Sequence, residues 1–134
     1  VIGDTGIESS TKETVGNVRS LWEKEPNLMN GYFDEIANVT EGGKQAIENG
    51  DKEAVGELMN KNHELLNKIG VGHQELEKLV DITLEAGALG AKLTGGGGGG
   101  NMVALAKNAE EQKEICEKIT EAGYRAYQTT FGED

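Results

Sequence analysis

The sequence has little of several residue types, and each scarcity excludes a class of protein. With a single cysteine, Cys116, the chain cannot form an internal disulfide, and no cluster of Cys and His has the spacing of a zinc site. A reducing cytoplasm is therefore the expected location. No apolar run is long enough to span a bilayer, and no segment has the basic, apolar and small-residue succession of a signal peptide.

Basic residues are also scarce. The chain has 13 Lys and Arg against 24 Asp and Glu, so its net charge is -11. Binding to nucleic acid or to an anionic membrane needs a basic patch that displaces counterions or meets lipid headgroups. We therefore expect neither a nucleic acid nor a membrane as a partner.

Proline occurs once, and no Ser- or Pro-rich linker divides the chain, so residues 1–134 are expected to form one domain. The hydrophobic spacing predicts a strand, four helices, a strand, a glycine run, a strand, a helix and a last strand. This order favours an α+β fold with an antiparallel sheet covered by helices, and the last elements resemble part of a ferredoxin-like unit. The apolar stripes of the helices predict that Trp22, Tyr32 and Phe33 lie in the core.

Glycine is abundant, and six glycines occupy positions 95–100 between the apolar segments "GAKLT" and "NMVALA". Such a run weakens a fold unless something needs that backbone, because glycine loses the most freedom on ordering. Any run of six glycines satisfies the dinucleotide-binding pattern G-x-G-x-x-G, so this match says almost nothing about function. It fails the Walker pattern, since Asn101 and Met102 stand where Lys and Ser or Thr are required. Without Cβ atoms, successive N–H groups can still surround a phosphate, and a flexible hairpin connection is the alternative.

The residues before the run favour the phosphate interpretation. Lys92 and Thr94 alternate with the apolar Ala91 and Leu93, which places an ammonium and a hydroxyl on one face of a strand. Both groups can meet phosphate oxygens at the mouth of the loop. A flexible linker would need neither of them.

The stretch "GAKLTGGGGGGNMVALA" resembles the third motif, K-L-T-G-A-G-G-G-G, of the superfamily of galactokinase, homoserine kinase, mevalonate kinase and phosphomevalonate kinase. The segments "VIGDTGIESSTKETVGNV" and "LMNKNHELLNKIGVGHQELEKLVDITLEAGALGAKLTG" are similar to its archaeal-type mevalonate kinases. Together these segments cover most of the chain. The resemblance implies the C-terminal domain of a two-domain small-molecule kinase, with a ferredoxin-like antiparallel sheet covered by helices.

The resemblance also implies a site. In that family the glycine motif helps to form the ATP phosphate site, whose wall is here expected to contain Lys92, Thr94, Gly95, Gly96, Gly97 and Gly98. Thr11 is expected near the acceptor substrate, which is mevalonate or a similar small hydroxy acid. ATP and Mg²⁺ are the implied cofactors. Gly96 stands where alanine is usual, which predicts a loop less pre-organised for ATP.

The family's phosphate loop and its catalytic aspartate have no counterpart in this sequence. We therefore expect no catalytic residue and no metal ligand in the chain, a separate N-terminal domain as its partner, and an isolated chain that is inactive. Two alternatives fit the same residues. One is a free-standing module that binds a phosphorylated metabolite without catalysis. The other is a domain that self-associates as a homodimer through an apolar surface and an exposed strand edge beside Val1.

Four polar residues have a structural interpretation. Asp4 follows the first strand and is expected to form a turn. Asn62 lies in the apolar stripe of the third helix, so its amide is expected to be buried and to tie down neighbouring backbone. His63 and His73 have no nucleophile signal nearby and are expected to be surface or packing residues.

Overall fold

The computed structural model describes residues 1–6, 11–94 and 100–130, including their side chains except those of residues 11–13. Within those ranges, none of the helices has the length and apolar character needed to cross a membrane. The elements follow the predicted order. They are β1 (Ile2–Asp4), α1 (Thr11–Lys24), α2 (Pro26–Glu48), α3 (Lys52–Lys68), α4 (Gln74–Glu85), β2 (Gly90–Thr94), β3 (Asn101–Leu105), α5 (Ala109–Glu121) and β4 (Arg125–Tyr127).

The four strands form one antiparallel sheet in the order β2-β3-β1-β4. This is the ferredoxin-like order, with helices inserted between β1 and β2, and the predicted α+β fold is confirmed. β1 pairs with β3 on one side and with β4 on the other, so the predicted exposed edge beside Val1 is wrong. Its partners lie far along the chain, and a local hydrophobic pattern cannot reveal such pairings.

The core lies between one face of the sheet and helices α4 and α5. Gly3 of β1 faces this core, since a side chain there would contact Met102 and Leu79. Side chains alternate along a strand, so Ile2 and Asp4 point to the opposite face. The buried core residues are Val1, Leu76, Leu79, Val80, Ala91, Leu93, Met102, Ala104, Ile115 and Ile119.

Local signals set the helix ends. Asp51 begins α3 by accepting a hydrogen bond from the backbone N–H of Ala54 at 3.1 Å. Gly87 and Gly123 follow α4 and α5 with φ of 105° and 95°, a left-handed conformation that a side chain would strain. The prediction that these two glycines end their helices is confirmed.

Helix α3 lies against the edge of β2 at backbone contact. A Cβ atom on Gly56 would overlap the carbonyl of Leu89, and one on Gly90 would overlap the backbone of Gly56. This closeness lets Asn60 Oδ1 accept a hydrogen bond from the N–H of Ala91 at 2.9 Å. The helix thus closes an edge that would otherwise present unpaired amides.

The predicted core position of the aromatic residues is wrong for two of them. Trp22 is 43% and Phe33 38% exposed, and Tyr32 is half-buried. Trp22 and Phe33 line an apolar groove of about 440 Å³ on helices α1 and α2. Among the described elements α1 packs mainly against α2, so part of its apolar stripe has no neighbour to cover it.

Asn62 lies one turn after Leu58, which sits against Gly42 of α2. The Oδ1 of Asn62 is buried and has no hydrogen-bond partner among the described residues. The prediction that the Asn62 amide ties down backbone is therefore wrong for this oxygen.

A buried acceptor without a donor costs about 1–3 kcal/mol. We expect Asn62→Leu to raise the free energy of unfolding in urea by about 1 kcal/mol. The exposed Asn38→Leu is the control, and an equal or lower free energy for Asn62→Leu would contradict this account.

Candidate functional site

The glycine run connects the facing ends of β2 and β3. The last pair of the two strands is Thr94 opposite Asn101, so residues 95–100 lie in sequence between two paired strand ends. Residues 95–98, which were predicted for the phosphate wall, lie outside the described residues. Gly100 is described, and its φ of 75° is the left-handed conformation that favours glycine.

A row of polar side chains crosses the sheet beside this connection. In register across the four strands are Thr94, Asn101, Asp4 and Arg125. Their neighbours along each strand face the core, so the row lies on the other face. We call this the open face. It carries Ile2, Asp4, Lys92, Thr94, Asn101, Val103, Arg125 and Tyr127, each of which is at least partly exposed.

Lys92 lies on the open face one row further from the glycine run, opposite Val103. The alternation predicted for Lys92 and Thr94 therefore places both side chains on the same face. Lys92 is half-buried, and burial lowers the pKa of its ammonium. No acidic side chain in the described part of the chain forms an ion pair with it. The strand thus presents a partly desolvated cation that can pair with an anion.

Gly100 is fastened to the end of β1. The N–H of Thr5 donates to the Gly100 carbonyl at 3.0 Å, and the Thr5 hydroxyl donates to the same oxygen at 2.9 Å. This fixes the second end of the glycine run. Sequence reasoning did not find Thr5, because the two residues are far apart in the chain and only the sheet register brings them together.

A cavity of about 520 Å³ opens at the same end of the sheet. Asp4 shapes it as a turn-former, since its Oδ1 accepts from the N–H of Gly6 at 2.8 Å, and this prediction is confirmed. The cavity is lined by Asp4, Thr5, Gly6, Gly100, Asn101, Gly123, Tyr124 and Arg125.

Tyr124 ties this end of the sheet to α4. Its hydroxyl donates to Glu75 Oε2 at 2.6 Å, and Lys78 donates to the other oxygen of the same carboxylate at 3.3 Å. The Tyr124 bond, ahead of the Lys78 bond, lowers the pKa of Glu75. The same bond raises the pKa of Tyr124.

We expect Tyr124→Phe to lower the melting temperature at neutral pH and to matter less in acid. Because the folded pKa of Glu75 is lowered, its contribution to stability is present above the ordinary Glu pKa and is lost as pH falls through the lowered value. Thermal unfolding at about pH 7 and about pH 3 measures this, with the exposed Tyr127→Phe as control. A Tyr124→Phe effect of equal size at both pH values would contradict the assignment.

The remaining predicted residue, Thr11, is the first residue of α1, and its side chain lies outside the described part. In residues 1–6, 14–94 and 100–130, no group of three acidic, His or Cys side chains could hold a metal ion. The sequence-predicted residues that the structure brings together are therefore Lys92 and Thr94.

Comparison of the sequence with known protein families identifies the family of this chain. The model of the family described as "GHMP kinases C terminal" matches residues 44–125, which include α3, α4, β2, β3 and α5. The chain belongs to the GHMP kinases. The matched residues include the described flanks of the glycine run on both sides.

The relatives of this GHMP kinase domain include mevalonate kinases. The chain is 44% identical over 128 residues to mevalonate kinase of Pyrococcus furiosus, an alignment that covers 92% of the chain and 38% of the relative. It is 43% identical, over the same shares of each chain, to mevalonate kinase of Thermococcus sibiricus. The chain thus spans well under half the length of these relatives.

Solved structures agree with the fold. The crystal structure of L. major mevalonate kinase in complex with R-mevalonate matches with a TM-score of 0.86 and 34% identity, over 90% of this chain and 37% of that one. The Methanococcus jannaschii mevalonate kinase matches with a TM-score of 0.73 and 32% identity, over 92% and 36%. The GHMP kinase domain therefore has the fold of the corresponding part of those enzymes.

Proposed function

We propose that this chain is the C-terminal domain of an ATP-dependent mevalonate kinase, which transfers the γ-phosphoryl group of ATP to the hydroxyl of mevalonate in isoprenoid precursor synthesis. The observation that carries the proposal is the 44% identity with a mevalonate kinase over 92% of the chain. The structure in complex with R-mevalonate, at 34% identity, supports the same acceptor. We place the enzyme in the cytoplasm.

In this proposal the glycine run and its flanks form one wall of the ATP phosphate site. Lys92 supplies a cation that lacks an acidic partner among the described residues, and Thr94 supplies an exposed hydroxyl nearer the run. The N–H groups of residues 95–98 can approach phosphate oxygens closely because no Cβ atoms intervene. Phosphoryl transfer depends mainly on positioning and on neutralising charge, and these groups can do both.

The rest of the active site is assigned to sequence outside this chain. The chain spans 38% of its archaeal relatives, and it has no phosphate loop and no acidic cluster in its described part that would hold a metal. Mg²⁺ would be held by the ATP phosphates and by an N-terminal domain, and it would neutralise part of the phosphate charge. We also propose that Thr11 lies near the acceptor, because the segment that contains it resembles the segment that borders the family's acceptor pocket. The alternatives of a non-catalytic binding module and a self-associating domain are not favoured, since the relatives are kinases.

The test is a coupled assay of ADP release by the full-length protein that the gene encodes. Mevalonate, phosphomevalonate, galactose and homoserine are supplied separately as acceptors with MgATP. We expect turnover with mevalonate, and none above background with the 134-residue chain alone, because one wall of the site cannot position the reactants. Preference for another acceptor would overturn the proposed substrate. Turnover by the chain alone would overturn the assignment of catalytic groups to a second domain.

A further inference from the structure

The outward amides of the edge strand β2 are bound by side chains of a helix. The N–H of Ala91 donates to Asn60 Oδ1 at 2.9 Å, and the N–H of Leu93 donates to His63 Nδ1 at 3.0 Å. These residues alternate along β2, so the two bonds fasten the free side of the strand over its length. Helix α3 therefore takes the place of a fifth strand.

The imidazole of His63 is fixed on both of its nitrogens. It is 5% exposed, and its Nδ1 accepts from Leu93, so the ring hydrogen lies on Nε2. Nε2 then donates to Glu77 Oε1 at 2.6 Å, and Asn67 Nδ2 donates to the same oxygen at 2.6 Å. The ring thus joins α3, β2 and α4 through one side chain.

The bond to Leu93 lies between Lys92 and Thr94, two residues of the proposed phosphate wall. Leu93 is followed by Thr94 and then by residues 95–100, whereas the far end of the run is fastened through Gly100 to Thr5. Displacement of β2 at Leu93 would also displace Thr94, the residue from which the run begins. Loss of the hydrogen bond from Thr5 would act only on the other end.

We propose that His63 is a positioning residue, which Glu77 orients so that its Nδ1 holds the Leu93 amide and with it Thr94, the last residue of β2, at the phosphates of ATP. This rests on the proposed phosphate-binding role of the run. Because His63 is 5% exposed, its effect is expected to reach ATP through the strand and not by contact with a substrate. Asn60 alone does not replace it, because its bond lies two residues further from the run.

Two isosteric variants separate the bonds of the ring. His63→Asn keeps an acceptor near the position of Nδ1 and loses the link to Glu77, whereas His63→Gln keeps a donor near Nε2 and loses the acceptor for Leu93. His73→Asn is the matched control, since His73 caps α4 by accepting from the N–H of Glu75 at 3.1 Å and asparagine is a good cap. All three are made in the full-length protein.

The first measurement is hydrogen exchange of the Leu93 amide together with the amide shifts of glycines 95–100. We expect His63→Gln to accelerate Leu93 exchange by about 10- to 100-fold and to shift the glycine amides, because the N–H loses its buried acceptor. His63→Asn should change Leu93 exchange by less than about three-fold, and His73→Asn should leave it as in the wild type. Equal exchange in both His63 variants would overturn the proposal.

The second measurement is the Michaelis constant for each substrate. His63→Gln is expected to raise KM for ATP by about 10-fold and to leave KM for mevalonate within about two-fold, with rescue by His63→Asn. A purely structural role would instead lower the amount of active enzyme without changing either constant. If the wild type has no mevalonate kinase activity, the proposed function fails on its own, and the Leu93 exchange and glycine shifts still decide whether His63 positions this end of β2.

Discussion

Lys92→Met in the full-length protein is expected to lower kcat/KM for ATP by about 10- to 100-fold, because a charge-assisted bond to phosphate is lost. The variant should fold at least as well as the wild type. Lys92 is half-buried without an acidic partner among the described residues, and methionine keeps the length of its stem. Steady-state kinetics with ATP varied measure the loss. Lys107→Met, at an exposed lysine just after β3, is the control.

The pH dependence of stability has a fixed sign for Lys92. Burial lowers its pKa in the folded state, so the unfolded state binds this proton more tightly, and stability rises with pH between the lowered and the ordinary value. At neutral pH the charged ammonium therefore opposes folding. A variant that is both less active and less stable, or a loss equal to that of Lys107→Met, would contradict the assignment of Lys92 to the phosphate wall.

The second large effect is expected at the contact of α3 with β2. Gly56→Ala and Gly90→Ala should each lower the free energy of unfolding by about 3 kcal/mol or more, because the new Cβ overlaps backbone atoms that cannot rotate away. Chemical denaturation measures both. Since small domains are stable by about 5–15 kcal/mol, either change removes a large part of the total.

A third glycine provides the matched control. Gly31 is an exposed residue inside α2, and a Cβ there would meet no neighbouring atom within 4 Å. Gly31→Ala should raise the free energy of unfolding by about 0.5–1 kcal/mol, since alanine loses less backbone freedom in a helix. Stabilisation by all three substitutions would mean that α3 lies further from β2 than described.

Local patterns predicted the elements and part of the site. The order of helices and strands, the glycine ends of α4 and α5, and the shared face of Lys92 and Thr94 follow from periods of 3.6 and 2 and from turn chemistry. These features depend on neighbours in sequence. The family resemblance added the phosphate wall, of which residues 95–98 stay a prediction.

What could not be predicted depends on contacts between distant residues. The central place of β1 and the bond from Thr5 to Gly100 arise from strand pairing across about a hundred residues. The same holds for His63, whose ring is buried because α3 meets β2 at two glycines. Trp22 and Phe33 were predicted to be buried and are exposed. An apolar stripe predicts that a helix has a face to bury, but it does not say which element, if any among the described ones, covers that face.

The most direct test of the phosphate wall uses the full-length protein with ¹⁵N-labelled glycine. Spectra are compared without nucleotide and with a non-hydrolysable ATP analogue and Mg²⁺. We expect the amide resonances of residues 95–98 to shift most, while those of glycines in remote turns and helices, such as Gly31 and Gly50, stay unchanged. Binding of the analogue that leaves residues 95–98 unchanged would contradict the account, because the glycine run would then have no contact with phosphate.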